Sequence, residues 1–77
     1  MKYKSKDIIV WEIYTKLTAQ FSLIQIREII GNKIHGVQFN LTTNGWQRDE
    51  KDYVDDLEHV RMADERERKL FKQLVGK

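Results

Sequence analysis

The sequence predicts a small α+β domain, mainly helical, in which two helices, a short β-hairpin and a long C-terminal helix follow one another. Three observations predict it. Apolar residues recur at helical spacing from Asp7 onward, an Asn44-Gly45 pair follows an alternating run, and neither Pro nor Gly interrupts residues 49–75.

The first helix rests on Val10, Ile13, Tyr14, Leu17 and Phe21, which fall at i, i+3, i+4, i+7 and i+11 and form one stripe. The run DIIVWEIYT is also rich in β-branched and aromatic residues, but strand alternation would place Ile8, Val10 and Tyr14 with Glu12 and Lys16 on one face, so helix is preferred. Ile8 and Trp11 flank the stripe, so this helix needs cover on more than one side. The second helix begins at Ser22. Ser22 with Gln25 has the form of a capping box, Leu23, Ile26, Ile29 and Ile30 share a buried face, and Gly31 stands where a left-handed stop belongs. VQFNL then alternates, and Asn44-Gly45 suits a two-residue type I′ turn. From the N-cap candidate Asp49 the chain reads as helix almost to its end. Tyr53, Leu57 and Val60 share a face with Phe71 and Leu74, interrupted by Asp64 and Glu67, so either the helix bends or breaks near residues 63–66 or its distal part leaves the domain core and finds other cover for Leu70, Phe71, Leu74 and Val75.

Seventy-seven residues make a single domain over 1–77, with a core small enough that oligomerisation is often recruited to support it. There is no cysteine, which removes disulfides, thiolate zinc sites and a thiol nucleophile. No apolar run approaches the roughly 18 residues that cross a bilayer as a helix. The basic, then apolar start is interrupted by Asp7 and Glu12 with no small-residue cleavage site after it, which points to a cytoplasmic protein. The net charge of +2 is unevenly laid out: residues 1–48 carry seven bases and three acids, residues 49–60 one and six, residues 61–77 six and three. Basic ends suit phosphate and the acidic belt a basic partner, although acids at a helix start and bases at its end also complement the helix dipole.

Nothing in the sequence suggests catalysis. His35 and His59 lie in different elements, and Asp55 and Asp56 one turn before His59 make a local ion pair or a solvated face rather than a metal site. Ser5 and Ser22 look like caps, and no cofactor is expected. Two functional readings remain. In the first, the chain is a protein-interaction module, a small homodimeric regulator of the phage or mobile-element type. Its segment 64–77 would present Leu70, Phe71, Leu74 and Val75 to the Ile8 and Trp11 flank of a second copy or to another protein. In the second, it is a DNA-binding regulator with a degenerate helix-turn-helix and a β-wing. Lys2, Lys4, Lys6, Lys16, Arg27, Lys33 and Arg48 would meet phosphate, with Gln25 and Arg27 near the base edges. The segment FSLIQIREIIG, residues 21–31, is poor in polar side chains for a recognition helix, which favours the first reading.

Overall fold

The computed structural model describes residues 3–49 and 53–76, and it is built mainly of β-strands. Four strands form an antiparallel meander, β1 (Ile8–Tyr14), β2 (Ala19–Ile30), β3 (Lys33–Thr42) and β4 (Gly45–Asp49), and a fifth, β5 (Val60–Met62), returns to pair with β1. The sheet order is therefore β4-β3-β2-β1-β5. One helix, α1 (Glu65–Val75), follows, and a single 3-10 turn spans Leu57–His59.

The predicted mainly helical fold is thus wrong, and the elements that depart from it do so for physical reasons. Residues 8–14 are a strand because both faces of the sheet are covered there. Ile8, Ile9 and Val10 are consecutively buried, as in strands packed on two sides, so apolar residues do not alternate with polar ones. Glu12 shares the Ile8 and Val10 face, and this is tolerated because its carboxylate accepts from Arg61 Nε at 2.8 Å. The segment expected as a second helix is β2. Arg27 is one residue too many for the partner strand: Ile26 pairs with Gly36 and Glu28 with His35. This β-bulge puts Ile24, Ile26 and Ile29 on one face although their spacing is two and then three. The step of three from Ile26 to Ile29 is what a helix also shows. Ser22 caps nothing; it is buried, and its hydroxyl donates to Asn40 Oδ1. Gly31, at φ +62°, makes the turn from β2 to β3 rather than a helix stop.

The β3–β4 hairpin is present with a different turn from the predicted one. Thr42 pairs with Gly45, leaving Thr43-Asn44 as the turn, and the positive φ of +98° falls on Gly45 after it. That arrangement matches a turn closed by a left-handed glycine rather than a type I′ pair. Among the described residues the first half of the long C-terminal helix does not exist; residues 50–52 lie outside them. Val54 bridges to Ile34 on the edge of β3, and the chain then runs through the 3-10 turn into β5. The helix begins only at Glu65, because Asp64 and Glu67, read in the sequence as charges interrupting an apolar face, are its capping box. Asp64 accepts from the Glu67 amide at 2.8 Å and Glu67 accepts from the Asp64 amide at 2.9 Å.

Two cores result, one on each face. Tyr3, Ile9, Ile24, Ile26, Ile34, Val54 and Val60 fill one, with Trp11, Ile29 and Leu57 against it. On the other, α1 lays Phe71 over Ile8, Val10, Leu23 and Phe39, and Phe71 meets Phe39 edge to face at 5.6 Å between centroids.

Candidate functional site

The antiparallel meander puts the β1–β2 and β3–β4 turns at one end of the sheet and the β2–β3 turn with the N-terminal loop at the other. At the first end the apolar surface is open. Tyr14, Ala19, Phe21 and Leu41, with Gln20, line a groove of about 260 Å3. Tyr14 and Leu41 are exposed, and Leu17 beside them is 97% exposed. The turn carrying Leu17 is tied down. The Thr15 amide donates to the Thr18 carbonyl at 2.7 Å, and the Thr15 hydroxyl oxygen accepts from the amides of Leu17 at 3.2 Å and Thr18 at 2.9 Å. One wall of the groove is also held: the Tyr14 hydroxyl donates to Glu12 at 2.9 Å, which pushes the phenol pKa up. The other is braced by Trp46, which meets Phe21 edge to face at 5.9 Å. Residues 13–21 and 40–46 contain a single charge, Lys16, in a chain that is 34% charged.

The sequence-predicted contact residues divide. Of the interface candidates, Ile8 and Phe71 lie inside the chain's own core, Leu70 and Leu74 are half-buried against it, and Val75 is exposed. Trp11 is half-buried on the opposite face and donates its indole N–H to Asp56 at 3.1 Å. The helix stripe that argued for a partner is covered by the chain's own sheet. Of the DNA-contact candidates, Lys6, Gln25 and Arg27 line one groove at the far end, with Lys4 in the same loop, whereas Lys16 stands on the turn at the opposite end. Arg48 pairs across from Phe39 on β4, and Lys33 holds its ammonium 4.4 Å from the Tyr53 ring centre. Lys2 lies outside the described residues. The helix-turn-helix outline disappears, since residues 8–30 are β1, a turn and β2.

Sequence reasoning missed the groove because Tyr14, Leu17 and Phe21 fitted a helix stripe. The signal that could have found it was charge depletion over 13–21 and 40–46, together with a leucine set between threonines in TKLT.

Other polar clusters are internally satisfied. Asn40 Oδ1 accepts from Gln20 at 3.2 Å and from Gln38 at 2.9 Å, and its amide donates to Asp49 at 2.7 Å, tying β2, β3 and β4 in register. Arg61 clasps Glu67 through both terminal nitrogens at 2.8 Å and Glu12 through Nε, so the Glu67 carboxyl titrates below its ordinary range and the guanidinium is held charged. Asp56, bonded to His59 Nδ1 and to Trp11, is likewise lowered. Among the described residues no three His, Cys, Asp or Glu gather where a metal could sit, and no helix is long and apolar enough to cross a membrane. Comparison of the chain with protein-family models, curated proteins and solved structures finds no match.

Proposed function

We propose that the protein is a self-associating interaction module whose working surface is the turn end of the sheet. The observation that carries this reading is the combination there of a pinned, 97% exposed Leu17 with an apolar groove beside it and almost no charge around either. A two-fold interface needs a patch complementary to itself, so that a residue i meeting j is matched by j meeting i. A projecting leucine next to an apolar hollow meets that condition: Leu17 of one copy enters the hollow between Tyr14, Phe21 and Leu41 of the other, and the reverse contact forms at once. Interface centres are depleted in charge, as this surface is. Fixing the turn beforehand through Thr15 lowers the ordering cost of association. Each leucine side chain taken out of water contributes about 1.5–3 kcal/mol.

The test is sedimentation over a concentration series for the parent and for Leu17→Asp. The parent should pass from monomer to dimer as concentration rises. The variant should remain monomeric and keep the melting temperature of the monomer, because Leu17 is almost wholly in water. A parent that is monomeric at the highest concentration, or a Leu17→Asp variant that still dimerises, overturns the proposal.

A further inference from the structure

A second groove, about 400 Å3, lies at the other end and is lined by Ser5, Lys6, Gln25, Ile26, Arg27 and Val37. Two cations and no carboxylate line it. Among the described residues neither Lys6 nor Arg27 is engaged in an ion pair; the ion pairs there belong to Asp56–His59, Arg61 with Glu12 and Glu67, and Glu65–Lys69. Asp7, the acid nearest Lys6 in sequence, accepts from the Lys4 amide at 3.1 Å, and Glu28 lies across from His35 in the β2–β3 register.

Both cations are placed by backbone features that cost the fold something. Arg27 is the extra residue of the β2 bulge, a device that re-aims a side chain out of the strand's alternation. Lys6 has φ +78°, the one described non-glycine residue in the left-handed region. Such strain persists only where the surroundings impose it, and it concentrates at functional positions. Here the surroundings are explicit. The Lys6 amide donates to the Ile26 carbonyl at 2.7 Å, the Ile26 amide to the Asp7 carbonyl at 2.8 Å, and the Ser5 hydroxyl to the Arg27 carbonyl at 3.0 Å. The loop is thereby stitched to the bulge, and a lysine and an arginine line one groove. Were the loop's only task to turn, glycine would meet it without strain.

From this arrangement we infer that the groove binds a phosphate group. Two positive charges without an ion-pair partner among the described residues match a dianion; Arg27 can offer a forked pair of N–H donors and Lys6 a point charge. The Val37 side is apolar, and the volume lies within the range of small-ligand sites, so phosphate can be accepted free or on a nucleoside.

The test is amide-resolved NMR titration of the intact protein with inorganic phosphate and, separately, with a nucleoside monophosphate, at low ionic strength. Saturable shifts confined to residues 4–7 and 25–28 are expected with phosphate. A nucleotide binding at least tenfold tighter at the same amides assigns the site to nucleotides, and equal affinity assigns it to phosphate itself; either supports the inference. Lys6→Gly separates binding from folding. Removing the side chain relieves the positive φ, so the melting temperature should hold or rise while phosphate affinity falls at least tenfold, and Arg27→Gln should lower affinity similarly. Shifts that fail to saturate, or that survive unchanged in both variants, overturn the inference.

Discussion

The two ends of the sheet are closed by different kinds of contact. At the turn end each turn is closed by its own residues: Thr15 reaches Leu17 and Thr18, and Thr42 Oγ1 donates to the Gly45 carbonyl three residues on, at 2.8 Å. At the bulge end the bonds join residues about twenty positions apart, as Ser5 does with Arg27 and Lys6 with Ile26. A locally closed end can carry exposed apolar side chains without disturbing the sheet. An end closed by distant segments fixes the backbone from which its charged side chains project, but any shift of one strand there is felt by the others. The difference predicts unequal tolerance of substitution.

The largest effect is expected at Gly36, which pairs with Ile26 beside the bulge. A Cβ there would lie 1.9 Å from the Gln25 carbonyl oxygen, backbone against backbone, so β2 and β3 must part. Gly36→Ala should cost about 3 kcal/mol or more, read as a drop in the urea midpoint. An unchanged midpoint would show that β2 can retreat and that the bulge end is as forgiving as the other.

A middling effect is expected at Gly45. A Cβ meets nothing within 4 Å, so only the φ of +98° opposes substitution. Gly45→Val should cost about 1–3 kcal/mol. A loss equal to that of Gly36→Ala would erase the contrast between the ends.

The smallest effect belongs to neither end. Glu67 has its carboxyl pKa lowered, chiefly by hydrogen bonds from Arg61, so its contribution is fully present above the unfolded value of about 4.3 and is lost as pH falls through the lower folded one. Because Arg61 is 45% exposed, solvent screening limits the pair to about 1 kcal/mol or less. Glu67→Gln can keep the capping bond to the Asp64 amide while removing the charge. Its stability should therefore fall less steeply than the parent's on acidification below a pH of about 4.3, as followed by thermal melts. Parallel curves would place the acid sensitivity elsewhere.

Some features are legible in the residues alone. The hairpin near residues 42–45 follows from its turn residues, and Asp64 and Glu67 mark a boundary near residues 63–66, although it is the start of a helix and not the break within a longer one that the sequence predicts. Lys6, Gln25 and Arg27 can be singled out by residue type, but their meeting in one groove depends on a bulge and a strained loop that no spacing rule marks. Tyr14, Leu17 and Phe21 are visible as apolar residues, yet their spacing matches a helix as well as a hairpin and so points to the wrong surface.

By itself, the sequence determined composition and its consequences: a chain without thiol chemistry, with basic outer segments, an acidic belt and a nearly uncharged stretch around Lys16. The tertiary structure decided whether residues 8–30 coil or extend. Ile8, Ile9, Val10, Leu23 and Ile24 are buried on both faces of a sheet, and Arg27 adds a residue to the register, so the period of two is erased in just the segments that needed it. Local periodicity reports one covered face. Here the second cover is supplied by α1 on one side and by Tyr3 with Val54 on the other, segments far along the chain from much of what they bury, and only pairing at that range selects strand over helix.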